Sequence, residues 1–350
     1  MKSHLFTRRQ FLGASAAIVA GSSLRADDAA PVKFGDGSAS FALDPNWGRL
    51  PDGMKYGYGC AVVVDSRDRI FVTSRSTNPC VAIFDPAGKL LETWSKELSD
   101  RVGYTVEQIK NTAHGLFLNR EPAGEFLYWT ENVSDNRTGA KFGKRVYKTD
   151  MQAKILFTLG PDEQDSSNSL KVPLTNPTDV AVAPNGDIYV VDGYGSQKLY
   201  RFDKNFKQLG VIGGPGKDHG KFNTCHGVWV NTLKKEPELY IADRANDRLE
   251  VYSPDMEYKR TIPGVRKPCC FYQYEGRLYV PELDARVSIL DDDDKFVAHL
   301  GDGKGVNPKD IAKHPDKFAT PHALTLDSKG NLYVLEWLDW GRPRKLAKTV

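Results

Sequence analysis

Three histidines occupy the same place in three similar phrases: Ala113-His114-Gly115-Leu116-Phe117-Leu118, Cys225-His226-Gly227-Val228-Trp229-Val230 and Pro321-His322-Ala323-Leu324-Thr325-Leu326. Each opens a short apolar run of the kind that forms a buried strand. One histidine at a strand start is usually structural, its ring bonded to a neighbouring loop. Three in the same phase suggest convergence. Three neutral imidazoles meeting at one point make a metal site, zinc being the natural occupant, with a fourth position open for water or substrate. His219, His299 and His314 follow no such phase and read as surface residues.

Ligands so far apart in sequence can meet only if the chain repeats around an axis, and it does repeat. Six second strands share one form: Ile70-Phe71-Val72, Leu127-Tyr128-Trp129, Ile188-Tyr189-Val190, Leu239-Tyr240-Ile241, Leu278-Tyr279-Val280 and Leu332-Tyr333-Val334. Three residues after each central aromatic stand Ser74, Glu131, Asp192, Asp243, Glu282 and Glu336, acidic in five of the six. Each is preceded by an apolar strand and a turn such as Pro184-Asn185-Gly186-Asp187, and followed by a third strand and usually a fourth. Six copies of four antiparallel strands predict an all-β, six-bladed β-propeller. The sixth copy has only three strands. The orphan strand at 38–44 is expected to complete it and close the ring, removing the open edge. Polar insertions near 99–111, 134–144, 161–173 and 302–318 read as loops over one face.

The histidines open blades two, four and six, which lie about 120° apart around the axis of such a ring. The corresponding positions of the other blades read as Cys60, Thr178 and Pro268. Because the second strand runs antiparallel to the first, its end returns to the histidine face. That places Arg75, Gly193-Tyr194 and Arg244, which follow Ser74, Asp192 and Asp243, around the same mouth. Two arginines and a tyrosine beside a metal can clamp a carboxylate and move a proton. Arg248 reads as a solvated strand residue.

The rest of the composition sets bounds. Residues 1–26 carry Arg8-Arg9 before Phe11-Leu12, then a small, apolar stretch ending near Ala26, and read as a twin-arginine-type export signal to a periplasmic or secreted location. Residues 27–350 are then the propeller. The formal charge of the whole chain is +3; the signal holds four basic residues (Lys2, Arg8, Arg9, Arg25) and no acid, so the remainder is 3 − 4 = −1. A near-neutral chain without a basic cluster offers no electrostatic case for nucleic acid, and beyond the signal no apolar run is long enough to span a membrane. Five cysteines, Cys60, Cys80, Cys225, Cys269 and Cys270, show no CxxC spacing and read as buried thiols. A monomer acting on a small-molecule or peptide-derived substrate is expected.

The stretch from Pro177-Thr178-Asp179-Val180 through Val191-Asp192-Gly193-Tyr194, followed by Cys225-His226-Gly227 and Ala242-Asp243-Arg244-Ala245-Asn246-Asp247-Arg248-Leu249, resembles the NHL-repeat propellers, and among them the peptidylglycine alpha-amidating lyases. The resemblance implies zinc on His114, His226 and His322, a catalytic Tyr194 in its Asp-Gly-Tyr motif, and catalytic Arg244 and Arg75. It implies cleavage of an N-acyl-α-hydroxyglycine to an amide and glyoxylate. Flanking arginines and a dication would favour the tyrosine's phenolate. The chain departs from that family at three places. Ala323 replaces an aspartate that ligates structural Ca2+, Gly195 replaces a cysteine, and Thr320 replaces a methionine near the third histidine. Two other readings stay open: a metal-dependent propeller hydrolase or lactonase, and a non-catalytic NHL-repeat binding propeller.

Overall fold

The computed structural model describes residues 30–109, 113–132, 144–160 and 169–349; residues 1–26, read above as an export signal, and most of the insertions at 134–144 and 161–173 lie outside them. The described residues from 32 to 349 form six sheets, antiparallel but for one added strand in blade two. The inner strands of blades one and six, Gly59–Val64 and Pro321–Leu326, are apolar and buried throughout, packed between neighbouring blades. The outer strand is more open to solvent, as in Gln208–Gly213, none of whose residues is fully buried.

Six hydrophobic clusters, one between each pair of adjacent blades, hold the ring together. The one joining blades six and one includes Val62, Val72, Ala323 and Tyr333 and closes the circle. The central aromatic of each second strand is the wedge that fills these gaps: Phe71, Tyr128, Tyr189, Tyr240, Tyr279 and Tyr333 are all buried. Truncating a fully buried aromatic leaves a cavity its neighbours cannot fill. Phe71→Ala is therefore expected to lower the unfolding free energy by about 3–5 kcal/mol in denaturant titration. A loss below about 1 kcal/mol would mean that the wedge carries no packing.

The three strands of blade six are completed from the N-terminal side. Phe41–Asp44 pairs antiparallel with Arg342–Lys348, in the register Phe41 to Lys348. The closing strand begins later than expected, since 37–39 form a 3-10 turn, and a further short strand, Lys33–Phe34, pairs outside it. Blade two also gains a fifth strand, Ser169–Lys171, parallel to Ile155–Gly160.

The first insertion is helical rather than a loop, with turns over Lys96–Val102 and Val106–Ile109. Leu98 and Val102, one helical turn apart, pack on the cluster between blades one and two. Gly103 ends the first helix in the left-handed conformation at φ 74°, its N–H bonding the Ser99 carbonyl. Among the described residues no helix is long and apolar enough to cross a membrane.

The recurring acid at the end of each second strand ties down the loop that enters its own blade. Asp192 accepts the Thr175 and Asn176 amides, Asp243 the Asn223 amide, Glu282 the Arg266 amide, and Glu336 the Ala319 and Thr320 amides. A carboxylate offers several lone pairs to a buried turn, which is why an acid stands there. Arg248, expected to be solvated, is drawn into the same device. Its Nε lies 2.8 Å from Asp243 Oδ2 and its Nη2 donates to the Asp218 and Lys221 carbonyls.

Candidate metal centre

His114, His226 and His322 come together on the axis, all three buried, with their candidate ligand atoms within 4.8 Å of one another. The ring centroids are 4.8–5.0 Å apart and the rings stand at 66–89° to one another. Each Nδ1 faces a backbone carbonyl of the next blade: His114 to Thr178 O at 2.7 Å, His226 to Cys269 O at 2.7 Å and His322 to Cys60 O at 2.6 Å. A carbonyl can only accept, so the proton sits on Nδ1 and each Nε2 keeps its lone pair. All three Nε2 atoms are buried and without a hydrogen-bond partner.

Three partnerless acceptors in one buried place would be costly unless something binds them. A cation fits them, and the Nδ1-to-carbonyl bonds are what orients metal-binding imidazoles. Burial is also the chief reason that the imidazoles stay neutral. It holds His114 and His226 well below the usual histidine range and His322 down to about 3, with the site arginines adding to the effect.

The carbonyls locate the corresponding positions of the odd-numbered blades at Cys60, Thr178 and Cys269. The fifth is thus Cys269, not Pro268, because Pro268 pairs with Glu282 as Cys225 pairs with Asp243, one residue ahead of the ligand position. Glycine follows two of the histidines for a steric reason. A Cβ on Gly115 would lie 2.5 Å from Thr178 O, and one on Gly227 2.3 Å from Cys269 O, so any side chain would hold the strands too far apart for Nδ1 to reach. All five cysteines are free thiols. Burial pushes the Cys60 and Cys269 thiols up to about 11, the positive charges of Arg75 and Arg244 acting in the opposite direction.

Above this layer lie the ends of the second strands. Tyr194 is 36% exposed, and its ring centroid is 5.6 Å from those of both His114 and His226. The Arg244 guanidinium sits 4.9 Å over the Tyr194 ring. Arg75 reaches the mouth from blade one, its Nη2 donating to Asn132 O at 2.7 Å and Oδ1 at 3.0 Å. All six residues expected to do chemistry thus gather at one end of the axis. Arg244 acts on Tyr194 in the expected direction, lowering its pKa, but burial is the larger influence and raises it above the usual 10.

Two residues of the mouth went unnoticed in the sequence. Trp337 lies with its ring 4.9 Å from His322, under the Arg75 guanidinium at 5.1 Å, and Tyr58 stacks on it at 5.0 Å. The signal was available, since Asn132 and Trp337 follow Glu131 and Glu336 as Arg75 and Arg244 follow Ser74 and Asp243. On the other side of the histidine layer a cavity of about 230 Å³ runs between the inner strands, lined by Asp179, Arg120, Cys270 and apolar residues. Burial pushes the Asp179 carboxyl up to about 7.

Residues 174–200 match the NHL repeat family. The chain carries an NHL repeat. That segment holds the first two strands of blade three together with Asp192 and Tyr194. The chain is 28% identical over 221 residues to mouse (Mus musculus) NHL repeat-containing protein 3, spanning 61% of this chain and 57% of that protein. It is 29% identical over 154 residues to a probable peptidyl-alpha-hydroxyglycine alpha-amidating lyase of Caenorhabditis elegans, spanning 43% of this chain and 39% of that one. The match thus covers little more than half of the first of these relatives and less of the second. Among solved structures a streptogramin B lyase superposes with a TM-score of 0.55 at 13% identity, over 90% of this chain and 100% of that one. A putative gluconolactonase superposes with a TM-score of 0.53 at 14% identity, over 86% and 94%. Likeness at such identity concerns the propeller fold alone.

Proposed function

We propose that the protein is an exported, zinc-dependent lyase of the peptidylamidoglycolate type, which cleaves an N-acyl-α-hydroxyglycine to an amide and glyoxylate. The observation that carries this reading is the set of three partnerless Nε2 atoms beneath a tyrosine flanked by Arg244. Three neutral nitrogen donors favour zinc over calcium, which prefers oxygen. Zinc on His114, His226 and His322 would supply a Lewis acid for the substrate's hydroxyl or carboxylate.

The chain's own groups account for the remaining steps. Arg75 and Arg244 hold the carboxylate, the planar guanidinium being suited to it. Tyr194 Oη takes the proton of the α-hydroxyl, the C–N bond breaks with its electron pair going to nitrogen, and that nitrogen receives the proton, giving amide and aldehyde. No oxidant or water is consumed. The Arg244 charge offsets part of the burial that disfavours the phenolate.

The deciding experiment is metal analysis of the purified protein together with glyoxylate release from an N-acyl-α-hydroxyglycine. About one zinc per chain and zinc-dependent glyoxylate are expected. Calcium without zinc, or full zinc with no glyoxylate from any such substrate, would overturn the lyase reading in favour of a lactonase or a binding propeller.

A further inference from the structure

The mouth above the histidines is divided by chemistry. One half is polar, formed by Asn132, Tyr194 and Arg244 at the ends of the second strands of blades two, three and four. The other is apolar, where the corresponding residues of blades five and six are Leu283 and Trp337, with Tyr58 beside them from the segment entering blade one. Trp337 is held firmly. Its backbone N–H donates to Thr320 O at 2.8 Å, and the Thr320 hydroxyl donates to Trp337 O at 2.9 Å. Its ring is fixed between His322 at 4.9 Å, the Arg75 guanidinium at 5.1 Å and Tyr58 at 5.0 Å and 28°. Tyr58 is 42% exposed although it stacks on its neighbour. It is also tied to the clamp, since the Arg75 amide donates to Tyr58 O at 2.9 Å.

We propose that Tyr58 and Trp337 form an aromatic platform that selects N-acyl-α-hydroxyglycines whose acyl group carries a flat aromatic ring. This inference rests on the lyase reading above and adds the substrate class. The substrate has a charged and a non-charged end. Arg75 and Arg244 hold its carboxylate and Tyr194 its hydroxyl, so the acyl substituent on nitrogen takes the remaining half of the mouth. That half offers two stacked rings, to which an aromatic ring adds by offset or edge contact. Arg75, lying over Trp337 and bonded to Asn132, stands at the border between the halves and sets the carboxylate next to the platform.

The test uses zinc-loaded protein and two pairs of ligands. Calorimetry compares N-benzoylglycine with N-acetylglycine, neither of which has a hydroxyl to react, and turnover compares the two hydroxylated counterparts. Benzoyl is expected to be favoured about tenfold in both measurements, the gain of one aromatic contact with its burial. Trp337→Ala should bring the ratio close to one, and Tyr58→Ala, at an exposed position that cannot compromise the core, should lower it in the same direction. Zinc content must stay at the wild-type value in both. A wild-type ratio near one, or a ratio unmoved by Tyr58→Ala and by any folded Trp337→Ala protein, overturns the platform. Absence of glyoxylate from both hydroxylated ligands overturns the lyase reading, while the calorimetric ratio still decides the platform on its own.

Discussion

His226→Ala is expected to remove the metal and, with it, all turnover. The imidazole is one of three buried donors, and the alanine leaves two Nε2 atoms that cannot enclose a cation. Zinc sites with a full protein ligand set bind with about 10–16 kcal/mol, or about 3 kcal/mol per ligand, so losing one donor should weaken binding at least about a hundredfold. The change also strands the Cys269 carbonyl, which the Nδ1–H now satisfies. Zinc per chain measured after dialysis should fall from about one to below about a tenth, with the fold kept by the inter-blade clusters. Full metal retention in this variant would exclude the triad as the site.

The same centre has a pH signature. Burial holds all three imidazoles below the ordinary value of 6.5, His322 at about 3. A ligand with a depressed pKa stays neutral above that pKa, and protons displace the metal only as the pH falls towards it. Zinc release is therefore expected well below pH 6.5 in a titration of bound metal. The metal-free protein should lose stability over the same interval, because below pH 6.5 the unfolded chain takes up protons that the folded triad refuses.

Tyr194→Phe is expected to abolish most of the activity and leave the metal in place. Phenylalanine keeps the ring 5.6 Å from His114 and His226 and its contact with the Arg244 guanidinium, and removes only the oxygen that moves the proton. Loss of a positioned acid–base group lowers kcat by about 10²–10⁴. Burial raises the Tyr194 pKa above 10, so wild-type kcat should rise with pH across the neutral range and the residual rate of the variant should not. A variant with unchanged kcat at full zinc would remove Tyr194 from the reaction and favour a binding propeller.

The blade count, the closure by an N-terminal strand and the candidate ligand set were legible in the sequence because each is a matter of period. An aromatic followed three residues later by an acid repeats six times, and histidine falls on every second copy. The helices at Lys96–Val102 and Val106–Ile109 were not legible, since a stretch so short is helical only because Leu98 and Val102 find the cluster between blades one and two. Arg248 was misjudged for a related reason. Its sequence neighbours place it on a strand, but only the loop at Asp218 and Lys221, folding back over it, takes it out of solvent.

What the sequence by itself determined is therefore the scaffold and the identity of the three candidate metal donors, both properties of spacing along one chain. The tertiary structure alone decided which nitrogen of each histidine is left to bind, because that depends on carbonyls at Cys60, Thr178 and Cys269, 43 to 262 residues away. It decided the protonation tendency of Tyr194, where burial and the Arg244 charge act in opposite directions and burial is the larger. It also brought Tyr58 and Trp337 together from opposite ends of the chain, as only a ring closed between blades six and one can do.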